Sequence, residues 1–172
     1  SNGDQYVGNF SANRFNGKGL LSYDDGNQYE GDFKDGLFDG KGTYTYADGN
    51  QYIGDWMQGA RSGNGTLTRS NGRRYDGQWK ANRKHGEGTT IYENGDQYVG
   101  DWQGGNRAGQ GMLVSADGSK YIGEWKNDTK NGPGTKTWGL KTDRAGDRYV
   151  GEFKTNAFDG QGIYSYAEGD QY

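Results

Sequence analysis

One phrase recurs down this chain and limits what it can fold into. A tyrosine and a glycine two residues on are followed, after one more residue, by an aromatic ring; a GxG comes seven residues after that ring and a turn glycine seven beyond it. The phrase opens at Tyr6-Val7-Gly8-Asn9-Phe10 and again at Tyr29, Tyr52, Tyr75, Tyr98, Tyr121 and Tyr149. The first five intervals are 23 residues and the sixth is 28. A fixed period of this length marks a repeat array, in which neighbouring units bury together what no unit can bury alone. One array over residues 1–172 is expected. Asn2-Gly3-Asp4-Gln5 matches Asn94-Gly95-Asp96-Gln97, and Tyr172 stands where an eighth unit would open, so a fragment of a longer array is expected.

Inside a unit the alternation has period two. Tyr6, Gly8 and Phe10 fall on one face and Val7 and Asn9 on the other; after the GxG, Gly17, Gly19, Leu21 and Tyr23 share a face. Two short strands per unit follow. Asp24-Asp25-Gly26-Asn27 and its counterparts carry glycine where a tight turn needs positive φ, while the link Ser11–Asn16 reads as longer and polar. Hairpins joined in this way pair edge to edge into one elongated, twisted antiparallel sheet, all-β, advancing about 10 Å per unit and about 65–70 Å over seven units.

Only 29% of residues are apolar and 34 are glycine, so a compact layered core is excluded and burial must come from rings, among them 14 tyrosines and 5 tryptophans. Phe10, Phe33, Trp56, Trp79, Trp102, Trp125 and Phe153 can stack along one face, with the glycine between tyrosine and ring leaving room for rings over the backbone. No run reaches the roughly 20 apolar residues of a membrane span, and cysteine is absent; a soluble protein of a reducing, cytoplasmic compartment is expected.

The unit YxGx(W/F), GxG, turn glycine closely resembles the MORN repeat (membrane occupation and recognition nexus) over essentially the whole chain. The resemblance implies stacked β-hairpins in an elongated twisted sheet with a groove. It also implies a non-enzymatic protein-binding scaffold in a cytoskeletal or ciliary assembly, its groove taking an elongated, helical segment or a second copy as a homodimer. Related arrays also lie at phosphoinositide-bearing membranes, or serve as the non-catalytic arm of a kinase or methyltransferase.

Nothing in the chain reads as catalytic, metal-binding or cofactor-binding. His85 stands alone in a polar stretch, no cysteine exists to join it, and the recurrent Asp32, Asp55, Asp101, Glu124 and Glu152 read as a solvated ladder. Gly36–Gly42 lacks the GxxxxGK(S/T) spacing of a phosphate loop. A net charge of −3 argues against nucleic acid.

Candidate groove residues are Tyr52, Trp56, Tyr75, Trp79, Tyr98, Trp102, Tyr121 and Trp125. Read down the position two before each GxG, the chain gives Phe15, Phe38, Arg61, Lys84, Arg107, Lys130 and Phe158. The phenylalanines either cover the ends of the ring stack or anchor a partner. The four cations form a basic ladder, thickened by Arg69, Arg73 and Arg74, which is either a solubilising edge or a strip facing an acidic partner or phosphoinositides. Three departures remain: Arg69 and Ser115 where other units keep tyrosine, a five-residue insertion between Trp138 and Gly146, and Pro133 inside its GxG, where a missing N–H is expected to weaken pairing.

Overall fold

The computed structural model describes residues 3–169, so the tyrosine expected to open an eighth unit lies outside the described residues. Fourteen strands follow in chain order: β1 Gln5–Ser11, β2 Arg14–Ser22, β3 Gln28–Lys34, β4 Leu37–Thr45, β5 Gln51–Met57, β6 Ala60–Thr68, β7 Arg74–Lys80, β8 Arg83–Ile91, β9 Gln97–Gln103, β10 Asn106–Val114, β11 Lys120–Lys126, β12 Thr129–Thr137, β13 Arg148–Lys154 and β14 Ala157–Ser165. They lie in one open antiparallel sheet, each beside its neighbours in sequence, and no helix occurs among the described residues. The chain divides into two compact units, Ser1–Lys84 and His85–Tyr172.

The expected strands form, but the tight connection is the other one. Within a hairpin the strands are joined by two residues, Ala12-Asn13 in the first and Gln58-Gly59 in the third, with φ of 48° and 60° and of 50° and 79°. Positive φ at both central residues is the type I′ geometry whose twist matches paired strands. The glycine-bearing segment is the longer, five-residue link between hairpins. In Tyr23–Asn27 the Tyr23 N–H donates to the Asn27 carbonyl at 2.9 Å and the Gly26 N–H to the Tyr23 carbonyl at 3.0 Å. Asn27 then accepts from the Ala47 N–H at 2.9 Å, tying this link to the next one.

A bulge in each hairpin explains the spacing of the phrase. Gly31 pairs with Gly42 and Phe33 with Phe38, so one residue on β3 faces three on β4. The irregularity frees a carbonyl on the first strand and an N–H on the second, and both are satisfied locally. Tyr29 lies along its own strand and its hydroxyl donates to the Asp32 carbonyl at 2.9 Å; the Lys41 N–H donates to the Asp32 carboxylate at 3.1 Å. Gly31 and Gly42 make room for the phenol: a Cβ on Gly31 would stand 2.5 Å from the Gly42 Cα, and one on Gly42 would fall on the Tyr29 ring. The tyrosine of the same unit, rather than a ring from a neighbouring strand, fills the space above the glycines.

Candidate binding surfaces

The ring row is closed. Tyr52, Trp56, Tyr75, Trp79, Tyr98, Trp102, Tyr121 and Trp125 are between 0% and 7% exposed. Each tyrosine meets the ring of its own unit edge to face, as at Tyr75 and Trp79, 5.1 Å between centroids. The hairpins are also linked: Tyr52 meets Trp79 at 5.3 Å, and Tyr98 meets Trp125 at 5.3 Å. The Trp79 indole N–H donates back to the Gly65 carbonyl at 2.9 Å, and Trp125 to Gly111 at 3.3 Å. These rings shape the surface from below. Burial raises the hydroxyl pKa of Tyr52 and Tyr98 well above the usual tyrosine value.

The position two before each GxG is a cover for the tyrosine rather than an outer edge or an end cap. Phe15 stacks on Tyr6 at 3.8 Å, Phe38 on Tyr29 at 3.7 Å and Phe158 on Tyr149 at 3.9 Å. Where the residue is a cation it takes the same place. Arg61 lies 4.5 Å from the Trp79 ring, Lys84 4.4 Å from Tyr75, Arg107 4.1 Å from Trp125 and Lys130 5.0 Å from Tyr121. Arg61 and Arg107 also reach the next hairpin turn, their Nη2 donating to the Asn82 carbonyl at 3.1 Å and the Asp128 carbonyl at 2.8 Å. Lys130 is pressed down to a pKa of about 8, by burial first and then by Lys136 and Arg107. Of the further cations, Arg74 pairs with Asp76 at 2.5 Å, and Arg69 and Arg73 line a small hollow of about 80 Å³ with Leu67, Tyr75 and Lys84.

The opposite face is the open one. In the first unit Val7, Leu20, Glu30, Thr43 and Ile53 border a groove of about 830 Å³, with Gly19, Gly31, Gly42 and Gly54 in its floor and Lys18 and Lys41 beside them. Val7 is 73% and Ile53 52% exposed. In the second unit Val99, Met112, Ile122, Thr135, Val150 and Ile163 stand opposite one another across β9 to β14. Sequence reasoning passed over this row. Its signal was the residue after each phrase tyrosine, β-branched in Val7, Ile53, Val99, Ile122 and Val150 where a solvated position would be polar.

Three further expectations change. The carboxylates are more than a solvated ladder: Asp55 accepts from the Asn64 N–H at 2.9 Å and Asp101 from the Gln110 N–H at 2.9 Å, each holding a bulge closed. Asp32 is held below the usual carboxylate range by the hydrogen bond from Lys18, which with the Lys41 N–H outweighs burial. Pro133 costs no ladder bond, because the equivalent N–H elsewhere serves the bulge carboxylate; β12 pairs with β13 continuously from Gly132 to Thr137. The insertion is a folded chain of turns: Thr142 N–H donates to the Gly139 carbonyl, Asp147 N–H to Arg144 and Gly146 N–H to Trp138. No cluster of three or more His, Cys, Asp or Glu able to hold a metal occurs among the described residues, at His85 or elsewhere.

Hairpins of one length, stacked in chain order around a closed ring row, define a β-hairpin repeat protein. The chain belongs to the MORN repeat family, whose profile matches residues 6–28, 29–51, 52–73, 75–97, 98–120, 121–139 and 149–171, leaving the insertion between the last two. No curated protein matches the chain. Among solved structures it is similar to the TCP domain of Drosophila melanogaster SAS-4 (dCPAP), in complex with a proline-rich motif of Ana2 (dSTIL). The TM-score is 0.54 at 13% identity, covering 98% of this chain and 88% of that one. The G-box domain of the microcephaly protein CPAP aligns at 15% identity, with a TM-score of 0.37 over 99% of this chain and 97% of that one.

Proposed function

We propose that this chain is a non-catalytic protein-binding scaffold whose open face, opposite the ring row, takes an elongated polypeptide segment of a cytoskeletal assembly. The observation that carries the reading is the groove of about 830 Å³ in the first unit, lined by Val7, Leu20, Glu30, Thr43 and Ile53 and by Lys18 and Lys41, which pair with Asp32 and Asp55. A segment with apolar side chains that meet Val7, Leu20 and Ile53 complements it. The SAS-4 domain of similar fold is itself described with a proline-rich motif bound, which supports a sheet of this kind as a peptide platform. The titratable groups that could carry chemistry are committed to structure, the carboxylates to bulges and the tyrosines to carbonyls. A membrane reading has less support, because Arg61, Lys84, Arg107 and Lys130 lie over rings instead of projecting outward.

Affinity capture with the whole chain tests this, comparing wild type with Val7→Glu, Ile53→Glu and the control Leu140→Glu. Proteins held by wild type and by the control are expected to be lost from the two groove variants, whose melts stay at the wild-type value because both positions are exposed. An unchanged set of captured proteins on Val7→Glu and Ile53→Glu refutes the groove as the docking face.

A further inference from the structure

The second unit carries a pocket on its ring face that the scaffold reading does not use. At the position where other hairpins keep Tyr23, Tyr46 and Tyr92, the fifth has Ser115. Loss of the phenol leaves a hollow of about 220 Å³, walled by Leu113, Tyr121, Trp138, Lys130 and Lys136, with Ser115, Asp117 and Ser119 at its rim. Lys136 is itself a departure, since the same position holds Leu21, Tyr44, Leu67 and Leu113 in other hairpins. Opposite β11, Trp125 pairs with Lys130 and Tyr121 with Lys136, so both lysines rise from β12 beside the same ring pair.

Two half-buried ammonium groups share one hollow, and the ring faces and the charge of Asp117 relieve them only in part. Neither forms an ion pair among the described residues; Lys130 rests over Tyr121, and Lys136 over Trp138 at 4.4 Å. Asp117 is the acid whose charge acts on Lys136, and its carboxylate also accepts from the Ser119 N–H at 2.7 Å. The Ser119 hydroxyl accepts from the Gly139 N–H at 3.1 Å, while the Ser115 hydroxyl makes no hydrogen bond among the described residues. Burial pushes both lysines below their usual pKa; Lys136 and Arg107 add to the effect on Lys130, and Arg144 to that on Lys136, where Asp117 opposes it. A cation cluster that no ion pair neutralises from within is stabilised by an anion from outside.

We propose that this pocket is an oxyanion site that takes a single phosphoryl group carried on a polypeptide side chain. Two ammonium groups match the −1.5 to −2 charge of a phosphate monoester, and with the Ser115 hydroxyl they offer a donor for each of its three terminal oxygens. The volume holds a phosphoryl group together with the end of the side chain that carries it. A flat membrane surface meets neither ammonium squarely, because both are half-buried, and residues 86–172 carry 13 acidic against 9 basic side chains.

The test uses the whole chain and follows the Lys130 and Lys136 Cε signals by NMR. It titrates in turn inorganic phosphate, a phosphoserine peptide, its unphosphorylated counterpart, and phosphatidylcholine vesicles containing phosphatidylinositol 4-phosphate. Saturable shifts at both lysines are expected with phosphate and the phosphopeptide, and none with the plain peptide. Lys130→Gln or Lys136→Gln weakens binding roughly tenfold or more, as loss of a hydrogen bond to a charged group does. Ser115→Tyr rebuilds the phenol of the other hairpins, so it abolishes binding while the melt stays at or above wild type. No saturable binding by phosphate or phosphopeptide, or binding unchanged in Ser115→Tyr, overturns the proposal. Binding to the vesicles without binding to the phosphopeptide replaces it with a membrane surface.

Discussion

Truncating one ring in the closed row measures how much the row contributes, and Trp79 is the cleanest place to do it. Its side chain is 5% exposed, meets Tyr52 at 5.3 Å and Tyr75 at 5.1 Å edge to face, and donates to the Gly65 carbonyl at 2.9 Å. Trp79→Ala removes the transfer energy of an indole and leaves a void that paired strands cannot close, at a cost of about 3–5 kcal/mol. Trp79→Phe separates the contributions. It keeps both edge contacts and loses the N–H bond, about 1 kcal/mol, together with part of the attraction to Arg61, which lies 4.5 Å from the indole. Leu140→Ala, at an 88% exposed position, is expected to stay within about 0.5 kcal/mol of wild type. Urea unfolding followed by far-UV circular dichroism reads all three, with the m-value checking that the unfolded state is the same. A loss under about 1.5 kcal/mol in Trp79→Ala would refute the ring row as the source of burial.

Alkaline pH gives a signed prediction. Lys130 has a folded pKa of about 8 against an unfolded value of 10.5, so the unfolded chain holds the extra proton between them, and stability rises with pH across that window. With much of the side chain still near solvent the gain is about 1 kcal/mol, not the full shift. Above pH 10 the sign reverses. Tyr44 and Tyr121, pushed up to about 12, stay neutral when folded but ionise when unfolded, so stability is lost as pH climbs further. Urea midpoints at three alkaline pH values should trace the rise and fall, and Lys130→Met should flatten the rise alone. Gly42→Ala drives a methyl into the Tyr29 ring and should lower the thermal midpoint more than any surface change, by about 3 kcal/mol in urea. Asp55→Ala frees the Asn64 N–H and should cost about 1 kcal/mol, little of it from the exposed Lys41 pair; an equal loss in Lys41→Ala would shift the credit to the ion pair.

Strands, pairing order and the buried ring positions were legible because they rest on period and alternation, which survive every change between units. The tight turn was not. Asp25-Gly26-Asn27 carries the stronger turn composition, yet the two-residue turns use pairs as different as Ala12-Asn13 and Gln58-Gly59, since positive φ can be met by several residue types. The bulge was equally hidden: nothing local announces that Asp32 will face three residues, although the spacing from Phe33 to the GxG already contains it. Reading Arg61 to Lys130 as an outward strip failed for a related reason. A column shared with Phe15, Phe38 and Phe158 signals a ring-covering place, and a long cation satisfies that need with its charge over the ring face.

The same column shows where specificity can enter a fold so fully determined by its phrase. Each tyrosine needs a cover, and phenylalanine, arginine and lysine all supply one. Arginine, with its planar fork, also secures the next turn, as Arg61 does at Asn82 and Arg107 at Asp128. Lysine covers the ring as a point charge and leaves more of the space beside it open. Both lysine covers, Lys84 and Lys130, border a hollow, and each hollow lies beside a hairpin that has lost its second tyrosine, at Arg69 and at Ser115. Two substitutions 46 residues apart in each column, occurring together both times, point to selection on the space between them. A cover chosen for the fold alone would not need to vary in step with a residue from another strand.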